Sequence, residues 1–370
     1  MQVTLANWRS SPFNRWAFHH VREVIPSADI AHDPMKVRAL SAAPHDFAGL
    51  RIDPDSGEAM GLEAFLLETG TDGLAIVHRG KLVFERYANG MTEATPHILM
   101  SVSKSMLGLL AAEIGLETAR QVTDIVPEVR DTAYRGATVR DLLDMRAGIV
   151  WDENYLATSG PIIEYRKSTG WNPLGPGEAP SDLHSFYASL TQATSHGGPV
   201  HYVSPNTDLL GWVIERSSGR RYADLMSERL WKKIGAERSA YITVDRLGAP
   251  RCAGGMCVTL RDLARVGQWM IEERSDWMKG LVTAADGKAW AAGDLARYFR
   301  GLPMRYASQW YILEGDAPLV FGWGIHGQFL FIDRVNQIVI AKVSSQALPI
   351  DVARNTLTLR AVSQLRKRLA

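Results

Sequence analysis

Ser101 and Lys104 stand three residues apart in an apolar run, Leu99-Met100-Ser101-Val102-Ser103-Lys104-Ser105-Met106-Leu107-Gly108-Leu109-Leu110. On an α-helix, residues three apart share a face one turn apart. Ser101 Oγ and Lys104 Nζ can therefore meet while Met106, Leu107, Leu110 and Ile114 fix the helix in a core. A lysine removed from water holds its proton less tightly and can accept the serine's. The helix N-terminus adds backbone N–H groups beside developing negative charge. This is the only Ser-x-x-Lys pair in the chain. Alone it also fits a capped helix with an exposed lysine, and two further stretches decide between the readings.

The first of these is His201-Tyr202-Val203-Ser204-Pro205-Asn206, leading into the helical pattern Leu209 to Glu215. A tyrosine on a loop just before a helix presents its hydroxyl to a site, where it can relay a proton to a leaving group. Ser204 can hydrogen-bond Lys104 or substrate, and the plain alternative is a turn tyrosine used in packing. The second is Phe321-Gly322-Trp323-Gly324-Ile325-His326-Gly327-Gln328. Glycine lets a backbone approach a ligand, and an N–H at the strand edge can pair with that of Ser101 as an oxyanion hole; a glycine-rich bulge is the alternative.

In this order the three stretches resemble the signature elements of the serine β-lactamase and penicillin-recognising superfamily: Ser-x-x-Lys, Tyr-x-Asn or Tyr-x-Ser, and Lys-Thr-Gly or its relatives. The resemblance is nearest to the class C-like esterases and the 6-aminohexanoate-dimer (nylon oligomer) hydrolases. It covers nearly the whole chain, through Asn14-Arg15-Trp16-Ala17-Phe18, Met100 to Ser105, Asn206-Thr207-Asp208, Arg261 to Gly267 and Gly324 to Gln328. It implies an α/β (α+β) fold of the β-lactamase/DD-peptidase type, an antiparallel sheet flanked by helices with an inserted, mainly helical domain. It also implies Ser101 as the acylated nucleophile, Lys104 as base and Tyr202 as proton relay. By the same likeness Ser204 takes the place of the family's asparagine or serine and Ile325 N–H completes the oxyanion hole, with Trp323, Gly324 and His326 beside the substrate. Tyr155, in Asp152-Glu153-Asn154-Tyr155, resembles the tyrosine that closes over substrate in the nylon-oligomer members.

Two departures bear on the substrate. Where β-lactamases have Lys-Thr-Gly this chain reads Gly322-Trp323-Gly324, losing the cation and hydroxyl expected to hold a β-lactam carboxylate. The acidic residue expected after the lid tyrosine aligns with Arg166, so an ester, or an amide with an anionic or neutral tail, is expected. The implied reaction is hydrolysis of a small ester or amide through an acyl-enzyme, with no metal and no cofactor. A β-lactamase or D-amino-acid peptidase, or a non-catalytic ligand-binding module on the same fold, is the alternative. Neither a Gly-x-Ser-x-Gly elbow nor a His-Glu-x-x-His pair occurs.

Composition agrees with a globular enzyme. With 46% hydrophobic and 22% charged residues the chain is not disordered, and a net charge of +1 argues against nucleic acid or an acidic partner. Cys252 and Cys257, the two cysteines, lie five apart with no second Cys/His cluster, which favours spectator thiols over a zinc site or a disulfide framework. The first residues carry no basic stretch followed by an apolar one, and no segment reaches about 18 uninterrupted apolar residues. A cytoplasmic protein without membrane contact is expected, its partners a small-molecule substrate and, as a homodimer, a second copy of itself.

The elements that must position the site follow from periodicity and turns. Turn signals fall at Asp33-Pro34, Asp53-Pro54-Asp55-Ser56-Gly57 and Gly70-Thr71-Asp72-Gly73, with a helix near 60–69. A hairpin is predicted over 74–78 and 82–87 around Arg79-Gly80-Lys81. Capping boxes at Thr138–Asp141 and Thr259–Asp262 open helices, the second running to about Glu273. A Pro/Gly-rich loop spans 172–180, and 222–233 reads as an amphipathic helix stopped by Gly235. Strands at 328–332 and 337–341 form a long-loop hairpin before a last helix over 352–369. Strands at both ends of the chain imply one discontinuous sheet domain, 1–120 with 241–370, and a helical insert, 121–240.

Overall fold

A computed structural model describes residues 2–54, 57–283 and 285–370. Asp55 and Ser56 of the second turn signal thus lie outside the described residues. The strands are β1 (Ser27–Ile30), β2 (Thr71–His78), β3 (Lys81–Tyr87), β4 (His97–Ile98), β5 (Ala240–Thr243), β6 (Met256–Val258), β7 (Met304–Ala307), β8 (Trp310–Leu313), β9 (Leu319–Gly324), β10 (Gln328–Asp333) and β11 (Ile338–Ser344). They form two sheets, a seven-stranded one in the order β3-β2-β11-β10-β9-β8-β7 and a four-stranded one in the order β1-β5-β6-β4. Every pairing is antiparallel. The antiparallel sheet flanked by helices is the architecture expected; the second, smaller sheet is not visible in the sequence, because its strands are short and scattered.

Four helices matter for the site: α1 (Val102–Glu113), α2 (Ser204–Ser218), α3 (Leu260–Glu272) and α4 (Val352–Leu369). The large sheet is buried on both faces, so its central strands are apolar throughout instead of alternating. Ala75, Val77, Val339 and Ala341 pack with Leu263 and Val266 of α3. Leu74, Ile76, Ile338 and Ile340, pointing the other way, pack with Leu357, Ala361 and Leu365 of α4. Alternate residues of one strand thus serve two cores.

The helix carrying Ser101 and Lys104 is buried on every side from Val102 to Ala111, with Ile114 half-buried at its end. Its polar side chains are satisfied inside: Ser103 Oγ accepts from Met256 N–H at 3.1 Å and Ser105 Oγ donates to Gln309 O at 2.8 Å. A Cβ on Gly108 would overlap the Ser308 carbonyl oxygen, so α1 lies directly against the β7–β8 turn.

The capping box at Thr138 is reciprocal. At Thr259 only half of it forms: the Asp262 carboxylate accepts the Thr259 hydroxyl at 2.8 Å instead of the Thr259 N–H, and also takes Glu237 N–H at 2.7 Å and Arg238 N–H at 3.0 Å. The 222–233 segment departs from the expected regular helix. It starts as a turn of α-helix, Tyr222–Leu225, and continues as a wider π-helical stretch, Met226–Trp231. Among the described residues no helix is long and apolar enough to cross a membrane.

Candidate active site

Strand β4 leads into the site: Leu99 N–H donates to Met256 O at 2.8 Å, tying the chain to β6. Met100 then takes a left-handed conformation, φ 46°, and the chain turns sharply so that Ser101 stands at the N-terminus of α1 with its side chain uncommitted to capping. A non-glycine residue in that region carries strain, and here the strain sets the serine on a corner facing open space.

Lys104 Nζ lies 2.9 Å from Ser101 Oγ and donates to Ala253 O at 2.7 Å. The lysine is 1% exposed. Its pKa falls to about 7, chiefly through burial; the charges of Glu153 and Asp208 oppose the shift and that of Arg251 adds to it. Near neutrality Lys104 is therefore in part a free amine within hydrogen-bond reach of a hydroxyl.

Tyr202 sits two residues before α2, with its N–H on the Asp294 carboxylate at 3.3 Å. Its hydroxyl faces the Ser101 and Tyr311 hydroxyls, which lower its pKa in opposition to burial. The Lys104 ammonium nitrogen is 4.9 Å from the centre of its ring. Burial pushes the Tyr202 phenol well above its ordinary pKa, so it stays protonated. The two candidates for the proton acceptor are thereby separated: Lys104 can take a proton near pH 7 and Tyr202 can only give one.

Ser101 opens on a cavity of about 290 Å³. Trp151, Tyr155, Tyr202, Tyr311, Trp323 and Ile325 supply apolar wall, and Glu153, His201, Asp294 and Arg297 the charged or polar edge. A second, narrow cavity of about 30 Å³ also starts at Ser101 and Ile325 but runs toward Arg9, Arg166 and Arg251, past Met100, Ile162 and Trp171. Glu153 and Tyr155 border both.

Ser101, Lys104, Tyr202, Ile325, Tyr155 and Trp323 are thus brought together as the sequence suggests, and three other assignments change. Ser204 does not touch Lys104. Its hydroxyl donates to Glu153 Oε1 at 2.6 Å and its N–H to Glu153 Oε2 at 3.0 Å, leaving the lysine's second bond to the Ala253 carbonyl. Gly324 makes room for the protein's own backbone, not for a ligand, since a Cβ there would stand 2.7 Å from Leu99 O and 2.9 Å from Ser101 N. His326 lines neither cavity. Its Nδ1 is 2.7 Å from Gln346 O, its N–H donates to Pro349 O, and burial lowers its pKa to about 4, so it is a neutral strut of the turn Ile325–Gly327.

Sequence reasoning missed the groups that hold the chemistry in place. Glu153 accepts from Ser204 and from Trp151 Nε1 at 2.6 Å, and borders both cavities beside Tyr155. Asp208 on α2 accepts Ala253 N–H at 2.8 Å and pairs with Arg251, which also bonds the Tyr165 hydroxyl. Asp208 thereby fixes the residue whose carbonyl holds Lys104. Burial works against the Arg251 charge, but Asp208 and Tyr165 more than offset it and the pKa is raised. The carboxylates were visible as letters, yet nothing local tied them to Ser101. Cys252 and Cys257 are buried and unpaired, the Cys252 thiol pushed well above its usual pKa by burial.

Comparison with known proteins agrees with this geometry. The family profile described as Beta-lactamase matches residues 63–364. A "6-aminohexanoate-dimer hydrolase" of Paenarthrobacter ureafaciens is 34% identical over 359 residues, 93% of this chain and 88% of that one. Among solved structures, a putative 6-aminohexanoate-dimer hydrolase from Bacillus anthracis superposes with a TM-score of 0.89 at 24% identity, covering 100% of this chain and 97% of that one. EstCE1, a hydrolase with promiscuous acyltransferase activity, shares the fold at a TM-score of 0.62 and 14% identity, covering 81% and 95% of the two chains.

Proposed function

The chain belongs to the beta-lactamase family of hydrolases, and from that premise we propose that it cleaves small esters or amides through an acyl-enzyme on Ser101. The observation that carries this reading is the 2.9 Å contact between Ser101 Oγ and an amine with a pKa of about 7. Lys104 takes the hydroxyl proton as Oγ bonds to the substrate carbonyl carbon. The N–H groups of Ser101 and Ile325 receive the resulting oxyanion. Tyr202 gives its proton to the departing alcohol or amine and recovers one from Lys104. Water then attacks the acyl-enzyme by the same proton route.

The wide cavity suits an apolar or aromatic leaving group, since its wall is aromatic. Gly322 and Trp323 stand where a lysine and a threonine would be needed for a β-lactam carboxylate, which favours esters and open-chain amides over β-lactams. Ser103 and Ser105 are 1% exposed and engaged with backbone partners, which supports Ser101 as the nucleophile.

A fluorophosphonate probe combined with turnover of short p-nitrophenyl esters tests the assignment. Label is expected on Ser101 alone, and Ser101→Ala should keep its fold while retaining less than about one thousandth of wild-type turnover. Label on Ser103 or Ser105, or turnover above that level, would overturn it.

A further inference from the structure

The narrow cavity holds a charge pattern that ester hydrolysis by itself does not require. Arg251 is matched by Asp208. Among the described residues neither Arg9 nor Arg166 forms an ion pair. Arg166 spends Nη2 on the Tyr155 carbonyl at 3.0 Å and Arg9 spends Nη2 on Asn172 Oδ1 at 2.6 Å, while the buried Nε of Arg9 has no partner. Arg166 is 7% exposed. The carboxylate on this rim, Glu153, already accepts from Trp151 and twice from Ser204. With Lys104 as the free amine, two guanidiniums face one carboxylate and a single positive charge is left over. Burial and mutual repulsion lower the Arg9 pKa to about 9, so it remains charged at neutral pH. Its guanidinium carbon lies 5.6 Å from the Trp8 ring and 5.8 Å from the Trp171 ring, which hold it in place.

The two cavities also differ in which side of the scissile bond they serve. Tyr202, the proton donor to the leaving group, lines the wide cavity and not the narrow one. The leaving group therefore departs over the wide cavity, and the acyl chain runs from Ser101 into the narrow one. About 30 Å³ there accommodates a small planar group and no ring. Resting on the acyl-enzyme reading above, we propose that Arg9 and Arg166 bind a carboxylate at the far end of the acyl chain, so that the substrates are half-esters or half-amides of dicarboxylic acids. A planar carboxylate matches the guanidinium fork, and the apolar walls of Met100, Ile162 and Trp171 keep the attraction from being screened. An ammonium in the same place would face two cations.

The experiment compares kcat/KM for three p-nitrophenyl esters of six-carbon acids: the hydrogen adipate, the hexanoate and the 6-aminohexanoate. The adipate half-ester should exceed the hexanoate at least about tenfold at low salt, as expected for one charge-assisted contact, and exceed the 6-aminohexanoate further. The ratio should shrink as salt rises. Arg166→Gln and Arg9→Gln should each lower the adipate-to-hexanoate ratio, and Arg166→Lys should restore much of it. A neutral ester hydrolysed as well as the adipate, or a ratio untouched by both arginine variants, overturns the proposal. If an arginine variant fails to fold, the wild-type ratio and its salt dependence decide. Absence of turnover on all three esters would sink the hydrolase reading alone. The carboxylate site is then judged by thermal shift of the Ser101→Ala protein, which adipic acid monoamide should stabilise and hexanamide should not; equal shifts would overturn it.

Discussion

Lys104 is held at a pKa of about 7 by burial, and on the proposed mechanism its amine must be free to accept the serine proton. The sign of the pH dependence follows. Below pH 7 the lysine is protonated and activity is lost; above it the amine is free and activity reaches a plateau. Tyr202 has to keep its proton, and burial raises its pKa, so it does not cut the plateau short at moderately alkaline pH. We expect kcat/KM to rise through an apparent midpoint near 7 that belongs to the coupled Lys104 and Tyr202 pair. Lys104→Arg should be nearly inactive, because a guanidinium keeps its proton across this range. A pH–rate profile still climbing at pH 10, or near-normal activity of the arginine variant, would place the proton acceptor elsewhere. His201, which lines the wide cavity 2.8 Å from Asp294, would be the next candidate, whereas His326 is excluded by its burial behind the turn.

Helix α1, with Ser101 at its N-cap, carries both groups of the proposed reaction and has no exposed face, so its position is set by what it touches on every side. At Gly108 there is no room for a side chain: an added Cβ would overlap the Ser308 carbonyl oxygen of the β7–β8 turn. Gly108→Ala should push the helix off that turn and cost about 2–3 kcal/mol of stability, in spite of alanine's better helix propensity. The same displacement should lower kcat, since Ser101 and Lys104 move with the helix. Gly280, in the helix Asp276–Thr283, has open space where a Cβ would go, so Gly280→Ala is the control and should be neutral or slightly stabilising. Urea denaturation and ester turnover of the two variants measure both effects. Equal stability of the two would mean that the β7–β8 turn yields easily and does not hold α1.

Across the whole molecule, the expected division into 1–120 with 241–370 and an insert at 121–240 is bridged by shared packing. Leu142, Ile162, Leu209 and Val213 of the middle region belong to the same apolar cluster as Ala75 and Val339 of the large sheet. The Asp208–Arg251 pair, with Tyr165, joins α2 to the segment before β6, and breaking a buried pair of this kind typically costs about 3–5 kcal/mol. A mainly helical insert that shares its core this way should not unfold by itself. We expect tryptophan fluorescence and far-ultraviolet circular dichroism to report coincident urea transitions. An early, separate transition would show that the insert is an independently stable unit.

Whatever depends on near neighbours could be read from the chain itself. A spacing of three puts Ser101 and Lys104 on one face of a helix, because helical periodicity is local. Turn residues and β-branched runs placed the β2–β3 and β10–β11 hairpins, and Thr138 with Asp141 announced a helix start. The family likeness then joined these pieces in order. Tertiary structure alone decided the rest, because burial and long-range pairing are properties of position in space. The proton affinity of Lys104 depends on a dry surround and on the Ala253 carbonyl that Asp208 fixes from another helix. Ser204 looked free to reach the lysine until Glu153 claimed its hydroxyl, and His326 looked placed beside the substrate until the fold turned its ring toward Gln346. Arg9 and Arg166, far apart in the chain, meet at one narrow cavity only after folding. No window of sequence could show that meeting, and the proposed preference for a carboxylate-bearing substrate rests on it.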